Sequence, residues 1–218
     1  MLLVTENDCV GIDEAGRGCL AFPVFTAAVA FPINIADIVN EEQKEIVDKI
    51  KDSKKLSEKR REEYAKFIEQ HALAFGVTSS SVEEIDNKNI LQATLDSMHR
   101  SINIVNNTIP LKKIIVDGNH FKPYYNSNNE LLNHTCIASA DDKYLDVAAA
   151  SILAKVYRDR FVLDYCRDNP QHDAWYKFSK NKAYGTKDHL NAIKKYGATN
   201  HHRKSFAPMR NMYMFLDD

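Results

Sequence analysis

Apolar and polar positions fall along the chain in blocks that predict its elements. Residues 8–16, DCVGIDEAG, read as a short strand with Val10 and Ile12 on one face, and 23–31, PVFTAAVAF, as a second strand entered through Pro23. A polar segment follows. From Ser57, a candidate N-cap, Tyr64, Phe67, Ile68 and His71 recur at helical spacing. Residues 73–81 predict a third strand. Ser81 and Glu84 have the spacing of a capping box, and beyond them Leu91, Leu95, Met98, Ile102 and Val105 line one face of a long helix. KKIIVDG (112–118) predicts a buried strand ending in an acid and a glycine, and 134–139 another strand. Residues 146–168 predict a strong helix, and 186–197 a last one between a Thr186 cap and a Gly197 stop. Three strands come first and helices then alternate with strands, which predicts a mixed α/β sheet flanked by helices. The loop 119–134 is polar with three aromatics and is expected on the surface.

Composition narrows the class. At 218 residues, 44% of them apolar, the chain suffices for one sizeable domain. The first ten residues carry acids and no basic stretch before an apolar one, unlike a signal peptide. No run approaches the roughly 18–20 apolar residues of a membrane span. The four cysteines form no CxxC pair and suit a reducing compartment. A soluble cytoplasmic protein is expected.

The net charge of −1 does not by itself suggest nucleic acid, but its distribution does. Residues 177–204 hold eight Lys or Arg against one acid, Asp188, interleaved with Phe178, Tyr184 and Tyr196. Such a segment points to a phosphate-binding surface. A second basic run, 51–61, reads equally well as a solvated face.

The acids lie at strand ends. Asp13 and Glu14 close the first strand, Asp117 ends IIVDG, and Asp141 and Asp142 follow the 134–139 strand. Strand ends of one sheet gather along one edge, where several carboxylates raise one another's pKa unless a cation compensates. Oxygen ligands without His or Cys favour Mg²⁺ or Mn²⁺ over zinc. Together with the basic segments, the acids suggest metal-assisted chemistry on a phosphodiester.

The motifs GIDEAGRGCLAFP, DSKKLS, IDNKNILQATLDSM, IIVDGN, VAAASILAKVYRD, AYGTKDH and HHRKSF occur in this order from about residue 9 to 206. Together they closely resemble the ribonuclease HII (type 2 ribonuclease H) family. The resemblance implies a single domain over 1–218: a ribonuclease H-like mixed five-stranded sheet flanked by helices, with a catalytic core at about 8–168 and a small basic C-terminal helical part at about 169–218. It implies an endonuclease that cuts the RNA strand of RNA–DNA hybrids and single ribonucleotides embedded in duplex DNA, leaving 3′-hydroxyl and 5′-phosphate ends. Asp13, Glu14, Asp117 and Asp141 would be the catalytic, metal-binding acids, holding two divalent ions, Mn²⁺ or Mg²⁺. Gly16, Arg17 and Gly18 would contact the 2′-hydroxyl and flanking phosphates. Lys54, Ser151 and Lys155 would meet the substrate, and Tyr184 would lie against the sugar that follows the ribonucleotide.

Other positions read as structural: Asp159 as the ion-pair partner of Arg158, His189 as a structural or phosphate-facing residue, and Arg203 and Phe206 as docking the C-terminal part on the core. Two positions depart from the family pattern. Phe22 stands where the family commonly has Gly, either narrowing the groove or filling a core gap, and SADD replaces the usual KGD around the fourth acid. No glutamine-led motif for a sliding clamp is evident, and a monomer is expected. The alternative from another class is a non-catalytic hybrid-binding protein on the same fold.

Overall fold

A computed structural model describes residues 2, 3, 5, 8–50 and 56–213. Five strands form one sheet in the order β3-β2-β1-β4-β5: β1 Cys9–Ala15, β2 Val24–Ala30, β3 Ala74–Ser80, β4 Lys113–Asp117 and β5 Asn133–Ile137. β1 pairs antiparallel with β2 and β2 with β3, whereas β4 runs parallel to both β1 and β5. The sheet is therefore mixed, as the strand order predicts.

Helices cover both faces. α5 (Ile90–Asn106) packs Leu95, Met98, Ile102 and Val105 against Val10, Ile12, Ile114 and Val116. On the other face, α6 (Leu145–Asp168) lays the small residues 148–150 against the sheet, so backbone and helix approach closely. α3 (Glu58–His71) packs beside α6, its start capped by Ser57. Asp146, on the first turn of α6, is wholly buried, with Oδ1 accepting from the Phe31 amide at 2.7 Å and Oδ2 from the Thr5 hydroxyl at 2.6 Å.

Several elements differ from the sequence pattern. The polar segment after β2 contains α1 (Ile35–Ile38) and α2 (Glu41–Lys49), the latter started by a capping box between Asn40 and Gln43. The Ser81–Glu84 capping box starts a short helix of its own, α4 (Val82–Lys88), and the expected long helix is α5. They separate at Asn89, whose φ of +71° is outside helical space and whose side chain caps α5 by accepting from Gln92 N. The loop 119–134 is not simply a surface loop. Tyr124 is buried against α5 and bonded to Asn103, and Phe121 packs between His99 and His134.

The C-terminal part comprises α7 (Pro170–Tyr176), α8 (Phe178–Asn181), α9 (Lys187–Tyr196) and α10 (Met209–Tyr213). It closes over the turn after β1 through a cluster that joins Cys19, Leu20, Ala21 and Phe22 to Val162, Tyr176, Phe178 and Ile193. Phe22 is fully buried, edge-on to Phe178 at 4.8 Å and Tyr165 at 4.9 Å. It fills the core and does not narrow a groove, although its φ of +72° is one that a bulky residue rarely adopts. Arg203 locks the closure: its Nε and Nη2 donate to the Phe22 carbonyl at 3.0 and 2.8 Å, and Nη1 to the Arg17 carbonyl at 2.9 Å.

Candidate active site

The parallel register that sets Ile12 beside Val116 brings the next residues, Asp13 and Asp117, to adjacent strand ends. Alternation along β1 sends Val10 and Ile12 into the α5 core and turns Asp13 toward α6. There Asp13 is buried, accepts from the Glu14 amide at 2.6 Å, and is hydrogen-bonded by Ser151. Burial, and then the Glu14 and Asp117 carboxylates, push the Asp13 carboxyl well above the usual range. After β5 the chain turns at Ser139, φ +55°, into a short 3-10 turn, Ala140–Asp142. The Ala140 amide donates to Asp117 Oδ1 at 2.8 Å, tying this turn to the end of β4. Asp141 is buried and Asp142 exposed. SADD thus keeps one acid inward, with Ser139 taking the left-handed position.

Glu14 lies between two openings. One, about 260 Å³, is lined by Glu14, Ala15, Gly16, Arg61, Ser151, Lys155 and Tyr184. The other, about 210 Å³, is lined by Glu14, Arg17, Asp117, Asn119 and His120, with Leu91, Leu95 and Met98 of α5 as an apolar wall. Arg17 Nη1 lies 3.1 Å from Glu14 Oε1, so the arginine of the glycine turn pairs with an acid of the site. Tyr184 is 42% exposed, its ring 5.6 Å from Lys155 Nζ and 5.7 Å from the Arg158 guanidinium. It is a surface ring of the cleft.

Asp159 pairs with Arg158 as expected, and with Lys155 as well. Lys155 Nζ lies at 2.8 Å and Arg158 Nη1 at 3.7 Å. Arg158 also donates through Nη2 to the Lys182 carbonyl, beneath Gly16. His189 is structural, buried with Nε2 3.1 Å from Nε2 of His202. Lys54 lies outside the described residues. Arg61, at the end of the 51–61 charge run, also lines the opening beside Glu14, a placement that the run itself does not distinguish.

The acids fit a divalent cation in donor chemistry: hard carboxylate oxygens, one of them buried among like charges that a cation would relieve. Among the described residues, no group of three or more His, Cys, Asp or Glu side chains could hold a metal ion as placed. Ligation by all four would require side-chain rotation. No described helix is long and apolar enough to cross a membrane.

The family model for ribonuclease HII matches residues 10–209. A ribonuclease HII from Christiangramia forsetii is 44% identical over 202 residues, covering 93% of this chain and 91% of that protein. The ribonuclease H2 of Pyrococcus horikoshii superposes with a TM-score of 0.72 at 22% identity, covering 96% of this chain and 99% of that one. The structure of Bst-RNase HIII in complex with Mn²⁺ gives a TM-score of 0.69 at 17% identity, with 97% of this chain and 71% of that one covered.

Proposed function

The chain belongs to the ribonuclease HII family, and from that membership we propose that it hydrolyses the RNA strand of RNA–DNA hybrids and cuts 5′ of single ribonucleotides embedded in duplex DNA. The products carry 3′-hydroxyl and 5′-phosphate ends. In the cell this activity removes misincorporated ribonucleotides and RNA primers during replication and repair, in the cytoplasm and as a monomer. The observation that carries the reading is the meeting of Asp13 and Asp117 at parallel strand ends, with the turn that carries Asp141 bonded to Asp117.

Asp13, Glu14, Asp117 and Asp141 would hold divalent cations, Mn²⁺ or Mg²⁺. Bound there, such ions supply a lowered pKa for the attacking water and charge compensation at the scissile phosphate. The chain's own residues orient the rest. Ser151 and the Glu14 amide fix the Asp13 carboxylate. Arg17 steadies Glu14 and adds positive charge beside the strand. Gly18, with nothing within 4 Å of where a Cβ would stand, leaves its backbone open to the ribose and its phosphates. The exposed Tyr184 ring offers a flat face to the following deoxyribose, where a 2′-hydroxyl would crowd it. The basic C-terminal part beyond 169 grips the duplex through phosphates.

The test is a DNA duplex with one embedded ribonucleotide, incubated with Mg²⁺ or Mn²⁺ and, in parallel, with excess EDTA. Metal-dependent cutting on the 5′ side of the ribonucleotide with the stated ends supports the reading. Binding without cutting under all conditions supports a non-catalytic hybrid-binding protein instead.

A further inference from the structure

Arg61 lies one turn into α3, four residues after the Ser57 cap. Its side chain lines the same 260 Å³ opening as Glu14, Gly16, Ser151, Lys155 and Tyr184. Lys155, the other cation that lines this opening, and the two arginines near it are engaged within the protein. Arg17 pairs with Glu14 at 3.1 Å and Lys155 with Asp159 at 2.8 Å, while Arg158 is fully buried against the Lys182 carbonyl. Among the described residues Arg61 forms no ion pair, and its Nη1 donates to a neutral acceptor, the Leu56 carbonyl. That bond anchors one nitrogen of a guanidinium that carries five N–H donors. The rest of the fork, and its charge, stay with the opening.

A cleft built around four carboxylates repels the phosphates of any strand that enters it. A cation on its wall offsets that repulsion, and a guanidinium matches a phosphate through two parallel hydrogen bonds where an ammonium cannot. We propose that Arg61 is a substrate-binding residue that grips a phosphate of the cleaved strand beside the scissile bond, from the α3 wall of the cleft. This rests on the nuclease reading above. The competing role is structural: Arg61 pins the Leu56 carbonyl at the entry to α3 and touches no substrate.

The experiment compares wild type, Arg61→Gln, Arg61→Lys and a control, Arg167→Gln, whose arginine is exposed at the end of α6 and paired with Asp164. The substrate is a duplex with one embedded ribonucleotide in Mg²⁺, with kcat and KM measured across a range of NaCl and thermal melts run in parallel. Arg61→Gln is expected to raise KM about tenfold with kcat nearly unchanged. It should also make log(kcat/KM) against log[NaCl] shallower by about one, as loss of one phosphate contact does. Arg61→Lys should recover the salt slope and part of the affinity, and Arg167→Gln should match wild type. Wild-type KM and slope in Arg61→Gln, or a loss accompanied by a lower melting temperature and an unchanged slope, would overturn the proposal. A wild-type protein that leaves the duplex intact would overturn the nuclease reading, and this inference with it.

Discussion

A Cβ on Gly16 would overlap Nε and Cδ of Arg158, a side chain with no exposed surface. Gly16 also has a φ of +94°. The first glycine of the turn is therefore required from inside the protein: the turn rests on the buried Arg158 and is held from behind by Arg203. Gly18 has open space around it.

The two glycines should respond differently to substitution. Gly16→Ala must combine a disfavoured φ with a clash and should lose about 1–3 kcal/mol of stability along with activity. Gly18→Ala should melt like wild type and lose affinity for ribonucleotide-containing duplex. Thermal melts beside cleavage assays separate the two, and a Gly16→Ala protein as stable as wild type would contradict the packing described.

Tyr184 should matter most at an RNA-to-DNA junction. A ring–sugar contact is worth no more than the roughly 1–3 kcal/mol of base stacking, so Tyr184→Ala should lose about tenfold on a single embedded ribonucleotide. It should lose less on a continuous hybrid, where no junction exists. Equal losses on both substrates with a lowered melting temperature would make the ring a packing element, despite its exposure.

The sheet was legible in the sequence because its strands are short apolar runs closed by Gly, Pro or acids, and IIVDG is the clearest of them. The acid pair stood out because Asp13 and Glu14 interrupt such a run. The register that places Asp13 beside Asp117 was not legible, since it depends on which strands pair. Asn89 hid its break because the apolar spacing on α5 begins two residues later and masks the positive φ. Phe22 was readable as a departure, but only packing decides that its ring goes into the core. Adjacency along the helix pointed Arg158 to Asp159, and that pair forms; its second acceptor, the Lys182 carbonyl, lies 24 residues away in sequence and could not be read there.

Acid should loosen the C-terminal cluster. Burial, and then His189 beside it, hold His202 down to about 3, against 6.5 for a free imidazole. The unfolded chain takes up a proton between those values that the folded one refuses. Stability from this group is therefore complete above about pH 6.5 and falls as the pH drops, with a limiting slope of about 1.4 kcal/mol per unit for one proton. Trp175, stacked on Tyr196 at 4.8 Å, reports on the same region by fluorescence. His202→Gln should melt lower at pH 7.5, because the Thr199 amide loses its ring acceptor, yet depend less on pH between 4 and 6.5. Identical pH slopes in the two proteins would contradict a neutral buried imidazole.

Of the adjacent acids, Asp141 faces inward and Asp142 faces solvent. Asp141→Asn should reduce cleavage severely and Asp142→Asn only mildly, in single-turnover assays with matched melting curves. The opposite ranking would mean that the turn after β5 presents its second acid to the substrate.

The most direct measurement is cleavage by Asp117→Asn of a duplex carrying one ribonucleotide, with binding measured on the same preparation. The amide keeps the carbonyl oxygen that accepts from the Ala140 amide while removing a charge from the acid cluster. Cutting should be lost in both Mg²⁺ and Mn²⁺ while duplex binding is largely kept, because phosphate contacts supply most of the affinity. Near-normal cutting by this variant would contradict the claim that the strand-end acids are the catalytic centre.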